Sequence, residues 1–449
     1  MKHSPMTATA LPPATRRHFL QATGTAFAAL LASGCTAGVG LATTPSPSSP
    51  YSPLRADPAG LLDLPEGFSY RVLSRLGDAM DDGGTVPDNA DGMGCLALPG
   101  GEIVLVRNHE LKPHHGTGGP LAGGYDRKPD GAVLPGGTTT LVLDPGTLEI
   151  KRQFRSLAGT IRNCAGGTTP WGSWLTCEED LTLPGAAATR DHGWVFEVPA
   201  DAAGLVEALP LKAMGRFNHE AAAVDPATGI VYMTEDRDEG LLYRFIPDAP
   251  GRLARGGRLQ ALAVPGKGLP DSRNWSGSRM TVGEWLEAGW IDLDEVESPQ
   301  DDLRIRGAAS GATLFARGEG IHMGEGELYF CCTSGGAKKL GQVFRLRLPQ
   351  AGPASLQLFF ESTRPDQFNF GDNLTVAPSG HLIVCEDQYT DVVDNHLRGI
   401  TPAGAAYPFA RLRRQTELAG ACFSPDGQTL FVNLYSPAMT LAIHGPWAA

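Results

Sequence analysis

A glycine turn followed by an apolar, strand-like run closing on small or polar residues occurs six times in this 449-residue chain. The copies span 101–110, 172–179, 229–236, 326–334, 380–387 and 427–435, and Asn108, Cys177, Thr234, Cys332, Cys385 and Asn433 stand at matching positions. Successive copies lie 48 to 98 residues apart. Repeats of roughly 40 to 50 residues, each with several strands, are the pattern of propeller blades, and longer gaps are loop insertions. The turns are chemically explicit: Pro-Ala-Thr-Gly, Pro-Ser-Gly and Pro-Asp-Gly precede three of the runs, with glycine supplying positive φ. The chain holds 57 glycines and 35 prolines but only 7% aromatics, which suits many short elements. A sandwich is the competing all-β fold, but six comparable copies favour a ring. The expectation is an all-β, six-bladed β-propeller over 61–449, with an insertion near 251–311.

The N-terminal segment reads as an address. Thr15-Arg16-Arg17-His18-Phe19-Leu20-Gln21 is a twin-arginine core, followed by an apolar run from Ala26 to Leu31 that is too short to span a bilayer. Residues 1–35 are read as a twin-arginine signal peptide, and Ala32-Ser33-Gly34-Cys35 resembles a lipobox whose cysteine would carry a lipid anchor. Residues 36–60 contain a serine- and proline-rich stretch and read as a tether. The expected partners include the twin-arginine translocation machinery, the expected location is the periplasm or the cell exterior, and the protein is expected to act as a monomer. Twin-arginine export carries folded proteins, which suits a protein loaded with metal before it crosses.

A net charge of −12 argues against nucleic acid as a partner, because phosphate backbones reward basic faces. An anionic substrate would need local cations to reverse the field. Apart from Cys35 there are seven cysteines, an odd number, and five lie in apolar runs. Buried thiols, at least one free to bind metal, fit better than a disulfide framework. Some seven to ten residues before each turn glycine stands a polar side chain in a small or apolar stretch: Asp91, Cys164, Glu220, Glu319, Asp372-Asn373 and Glu417. In equivalent blades these six would enter the axial channel at similar height. Glu110, Glu178-Glu179, Glu235-Asp236 and Glu386-Asp387 add acids from the far strand ends. So many carboxylates on one axis repel unless cations neutralise them. Oxygen ligands in that number suit calcium, and a thiolate among them suits iron or zinc.

The run Asn163-Cys164-Ala-Gly-Gly-Thr-Thr-Pro-Trp-Gly-Ser-Trp-Leu-Thr-Cys-Glu178-Glu179 resembles the signature of the PhoX-type alkaline phosphatases. So do Gly215-Arg-Phe-Asn-His-Glu220, Phe315-Ala-Arg317-Gly-Glu319-Gly, Thr333-Ser-Gly-Gly336, Asp372-Asn-Leu, Cys385-Glu-Asp387 and Gly445-Pro-Trp447. The resemblance implies a propeller holding a calcium-dependent, iron-containing cluster that hydrolyses small phosphate monoesters. It makes Cys164 the thiolate ligand to iron and Glu220 and Glu319 carboxylates bridging iron and calcium. Glu178, Glu179, Glu386 and Glu417 would complete the calcium positions. Arg317 lies two residues before Glu319, so on a strand both face the metals, and its guanidinium would grip phosphate oxygens. A structural ion pair with a ring acid is the alternative for Arg317.

Other features read as bland. His114-His115 sits in a Gly/Pro-rich loop, His219 should face away from the channel, and Lys338-Lys339 reads as a solvated turn. No serine stands in a Gly-x-Ser-x-Gly elbow, and Gly116 to Gly124 is no nucleotide loop. The chain departs from the PhoX pattern at Tyr435, where glutamine is usual, and at Ala438, where glycine is. Two rival functions remain at this level: a calcium-dependent propeller lactonase, which has no need of the Cys164 thiolate, and a non-catalytic calcium-binding propeller.

Overall fold

A computed structural model describes residues 49–265, 268–349, 352–388 and 390–448. The twin-arginine core, Cys35 and residues 36–48 of the tether lie outside the described residues. Tyr51, also assigned to the tether, packs its ring against Phe68 and Phe409, so the described part of that stretch is joined to the body.

The strands follow one another as antiparallel meanders. After β1 (Leu62–Asp63) and β2 (Ser69–Arg75) come β3 (Ala90–Ala97), β4 (Ile103–His109), β5 (Gly136–Leu143) and β6 (Ile150–Thr160), which make one sheet. The next holds β7 (Asn163–Thr168), β8 (Ser173–Glu178) and β9 (Val195–Pro199). Then follow β10 (His219–Val224), β11 (Val231–Glu235), β12 (Leu242–Pro247), β13 (Gly257–Ala263) and β14 (Trp285–Asp292). The short helix α1 (Leu303–Ala309) leads to β15 (Gly318–Met323), β16 (Glu327–Cys332), β17 (Gln342–Arg347) and β18 (Ala354–Glu361). Last are β19 (Gly371–Val376), β20 (Leu382–Glu386), β21 (His396–Ile400), β22 (Ala406–Leu412), β23 (Leu418–Phe423), β24 (Thr429–Leu434) and β25 (Met439–His444). The N-terminal strands close the circuit: β1 adds to β22 and β2 to β25.

The fold is all-β and propeller-like, but where six blades were expected the described residues do not form six separate sheets. Five hydrogen-bonded sheets form, because β14 pairs with both β13 and β18 and welds β10–β13 to β15–β18 into one sheet of nine strands. The expected insertion is therefore partly sheet: β13 belongs to its meander, and β14 is the weld. β3, β7, β10, β15, β19 and β23 lie side by side in cyclic order, each touching the next, with β23 returning to β3.

Hydrophobic burial is spread over the faces between successive meanders, which lets a long chain pack without one oversized core. On one face of β16 and β17, for example, Phe330 stacks on Phe344 at 5.1 Å and meets Phe315 edge-on at 5.2 Å. Truncating Phe330 would cost about 3–5 kcal/mol.

Candidate metal centre

Each of the six inner hairpins carries a β-bulge at the same place. Register shifts fall between Ala90 and Met93, Asn163 and Gly166, His219 and Ala222, Gly318 and Ile321, Gly371 and Leu374, and Ala419 and Cys422. A bulge bends its strand and re-aims a side chain, and here it turns Asp91, Cys164, Glu220, Glu319 and Asp372 inward. In the first and fourth hairpins the neighbouring strand then passes so close that the next residue must be glycine. A Cβ on Gly92 would sit 2.4 Å from the Ala165 Cα, and one on Gly320 2.7 Å from the Asn373 Cα.

A second repeat confirms the equivalence. One backbone N–H after each second strand donates to the residue two places before the bulged side chain: Glu110 to Asn89, Glu179 to Arg162, Asp236 to Asn218, Thr333 to Arg317, Asp387 to Phe370 and Tyr435 to Glu417. In the last hairpin the ring position is therefore Ala419, and Glu417 stands where Arg162 and Arg317 stand in theirs. The register also moves the matching position in the fourth hairpin from Cys332 to Cys331. Asn89, Arg162, Arg317 and Phe370 all have φ between 48° and 54°, a strained conformation that typically costs about 1–3 kcal/mol.

The inward groups form two triads. Single ligand atoms from Glu110, Cys164 and Glu179 lie within 4.8 Å of one another, as do those from Glu220, Glu319 and Asp372. The Cys164 thiol points at Asp91 Oδ2 at 3.5 Å. Arg162 donates Nε to Glu110 Oε1 at 2.7 Å and Nη2 to Glu179 Oε2 at 2.7 Å. Arg317 chelates Asp236 with Nε and Nη2 at 2.8 and 2.9 Å and reaches Glu319 Oε1 at 3.0 Å.

Several of these atoms are buried with nothing to bond. Both oxygens of Glu220 and Oδ1 of Asp91 have no hydrogen-bond partner among the described residues. Burial, reinforced by neighbouring acids, pushes the carboxyls of Asp91, Glu220 and Glu319 well above their usual range, with Arg317 opposing the rise at Glu319. Asp372 and Glu179 rise to about 8 for the same first reason; Asn373 and Arg317 oppose the rise at Asp372, and Arg162 opposes it at Glu179. Burial and then Asp91 hold the Cys164 thiol up as well. Folded without cations, the centre keeps protons it does not otherwise want. Carboxylate oxygens with one thiolate are the donor set of mixed hard and softer cations, so these residues fit a calcium and transition-metal cluster.

Two expected ligands are corrected. Glu178 Oε1 accepts from Ile161 N at 2.9 Å and His192 Nδ1 at 2.6 Å, and Oε2 from Gly193 N at 2.9 Å. Glu386 Oε1 accepts from Asn369 N at 2.9 Å and Arg398 Nε at 2.8 Å, and Oε2 from His396 N at 3.1 Å. Glu235 Oε2 likewise accepts from Leu241 N and the Tyr243 hydroxyl, but its Oε1 has no hydrogen-bond partner among the described residues. Strand alternation is the reason: the first acid of each pair turns into its own sheet, the second to the axis. Glu179 and Glu417 do face the axial group, and Glu417 is raised by burial first and then by Asp387. His219 behaves as expected, with Nε2 on Gly215 O at 2.9 Å and its ring on Phe217. Glu110 and Asp372, outside the ligand set the resemblance implies, join the two triads, and Asp91, Asp236 and Asp387 stand beside them, all at offsets visible in the repeat. The sequence reading also missed Arg162, although its place two residues before Cys164 copies that of Arg317 before Glu319.

Beyond the bulges the channel widens into a cavity of about 280 Å³ lined by small and apolar residues such as Gly94, Gly167, Ala223 and Val376. No Asp, Glu, Lys or Arg lines this cavity.

The chain matches the model of the family described as alkaline phosphatase PhoX over residues 49–145 and 137–438. No curated protein matches it. Among solved structures it is similar to PhoX of Pseudomonas fluorescens in complex with vanadate, a transition-state analogue: 20% identity, 86% of this chain and 96% of that one, TM-score 0.66. A gluconolactonase of Xanthomonas campestris, XC5397, aligns at 14% identity over 89% of this chain and 99% of that one, TM-score 0.43. With nearly the whole described body matched to its model, the chain belongs to the PhoX family of alkaline phosphatases and is a phosphatase enzyme.

Proposed function

We propose that this chain hydrolyses small phosphate monoesters at the axial acid cluster, which holds calcium together with iron, the iron on Cys164. The observation that carries the metal reading is Glu220: a buried carboxyl with both oxygens unpartnered must either keep its proton or take a cation, and in a ring of acids with a thiol beside it a cation satisfies several groups at once. Bound cations would neutralise the phosphoryl charge and lower the pKa of an attacking water.

The chain's own residues do the rest. Glu220, Glu319 and Asp372 would hold one part of the cluster, and Cys164, Glu110, Glu179 and Asp91 the other. Arg317 stands at the mouth, its side chain 23% exposed. It is the group to stabilise charge on the equatorial phosphoryl oxygens. Asp236 fixes the plane of that guanidinium by a two-point grip, and Arg162 braces Glu110 against Glu179. The alternative of a purely structural Arg317 pair is one that mutation separates, as described below.

On this reading the nine-stranded sheet counts as two blades joined through β14, so that the fold is a six-bladed propeller. Arg16-Arg17 would send the folded, metal-loaded monomer through the twin-arginine route to the periplasm or beyond, with Cys35 as a lipid anchor.

The test is hydrolysis of a chromogenic phosphate monoester at alkaline pH by protein exported on its own signal, before and after calcium chelation. Activity should vanish with the chelator and return with calcium. Activity that survives chelation contradicts the reading. Cys164→Ser separates the rivals, since it should abolish phosphatase activity and iron content while leaving a lactonase working and a binding module folded.

A further inference from the structure

Ring closure brings the last hairpin against the first at the metal centre, and one side chain there has no counterpart around the ring. The six residues that follow the second strands are Glu110, Glu179, Asp236, Thr333, Asp387 and Tyr435. Only Tyr435 is aromatic. Its backbone is held from several directions: its carbonyl accepts from Ala90 N at 3.0 Å and its N–H donates to Glu417 O at 3.2 Å. The following residues are fastened to Asp88, through Ser436 Oγ at 2.9 Å and Ala438 N at 2.8 Å. The phenol therefore has a fixed origin, and its hydroxyl donates to Glu110 Oε2.

Glu110 is thus gripped on both oxygens, by Tyr435 on Oε2 and by Arg162 on Oε1. From Arg162 the same chain of bonds runs to Glu179, and from Glu179 Oε1 to Asn218 Nδ2 at 2.9 Å. Asn218 Nδ2 also reaches Asp236 O at 3.1 Å, and Asp236 holds Arg317. Tyr435 is the terminal donor of a belt that joins five hairpins, ending on Arg317. The end it secures is the half of the centre that contains Cys164.

We propose that Tyr435 is a positioning residue for the thiolate-side metal: its hydroxyl fixes Glu110 so that the Glu110–Cys164–Glu179 triad closes on a transition metal, whereas the Glu220–Glu319–Asp372 triad does not depend on it. This rests on the metal-cluster reading above. Hydrogen-bond partners of metal ligands typically tune affinity by roughly 10–100-fold, which sets the size of the effect.

The experiment compares purified wild type, Tyr435→Phe and Tyr435→Gln, reading iron and calcium per chain, the rate of iron loss to a chelator, and the visible thiolate-to-iron absorption. Phenylalanine keeps the ring and loses only the donor; glutamine keeps a donor. Tyr435→Phe should lose iron roughly 10–100-fold faster with a changed absorption band and unchanged calcium, and Tyr435→Gln should restore retention. A Tyr435→Phe protein with wild-type iron retention and spectrum overturns the proposal, as does a glutamine variant that loses iron as readily as phenylalanine. Wild type devoid of transition metal would overturn the metal reading itself, a separate and recognisable result.

Discussion

Two sets of buried carboxylates lie one residue apart along the inner hairpins. Glu178, Glu235 and Glu386 turn into their own sheets, where backbone N–H groups and side-chain donors bond them. Glu179, Asp236 and Asp387 turn to the axis, where they meet the bulged acids of neighbouring hairpins. The first set organises loops and the second concentrates charge. Burial does not tell them apart, since Glu178 and Glu220 are both wholly inaccessible. The extremes differ in satisfaction: Glu178 accepts four hydrogen bonds, while neither carboxylate oxygen of Glu220 has a partner among the described residues. Glu235 lies between these extremes, bonded on Oε2 but with no partner for Oε1 among the described residues.

Substitutions in the two sets should therefore fail differently. The largest effect is expected for Glu220→Gln: loss of cluster metal and of several kcal/mol of transition-state stabilisation, roughly a thousand-fold in rate. The metal-free form of that variant should melt no lower than metal-free wild type, because an unpartnered buried acid has been removed. Glu178→Gln should do the opposite. Breaking its pairing with His192 should cost about 3–5 kcal/mol in denaturant unfolding, with metal per folded molecule unchanged. If Glu178→Gln strips metal without destabilising, the division between the two sets is wrong.

Arg317→Lys gives a finer distinction. A lysine keeps the charge but not the planar grip on Asp236 and phosphate, so kcat should fall by roughly a hundred-fold with metal content intact. A change in stability alone would make Arg317 the structural ion pair.

The smallest effect is a pH slope. Asp372 and Glu179 keep protons up to about 8 when folded without metal, but release them at ordinary carboxylate pH when unfolded. The native state then binds more protons, and stability falls as pH rises through that window. His192 adds to the slope. Burial works against its charge, but Glu178 and Asp126 hold its pKa at about 9, so the stability it contributes below pH 6.5 is lost as pH climbs through 9. The melting temperature of chelated protein should fall from pH 5 to 9. Calcium and iron should flatten the carboxylate part, and Glu178→Gln should remove the His192 part.

Much of this was legible in the sequence because the repeat is. Six strand motifs gave the all-β ring-like order, and five of the six ring positions were read from polar residues standing seven to ten places before the turn glycines. The sixth was set two residues early at Glu417, because Ala419 at the equivalent position carries no polar side chain to mark it; the backbone bond from Tyr435 N to Glu417 O reveals the equivalence. Glu178 and Glu386 were misplaced for a different reason. Adjacent acids look identical in sequence, and strand alternation had to be applied to the pair. The five-sheet pattern was beyond reach, because the pairing of β14 with β18 depends on how an insertion folds back. Cys164 as a ligand came from the family resemblance together with its ring position, not from spacing alone.

The most direct test of the account is elemental analysis of folded, exported wild type beside Glu220→Gln, Cys164→Ser and Glu178→Gln. The account predicts metal-bearing wild type, depleted Glu220→Gln, iron-free Cys164→Ser, and Glu178→Gln indistinguishable from wild type per folded chain. Wild type that is active without metal, or a Glu220→Gln protein that keeps its full complement, would contradict it.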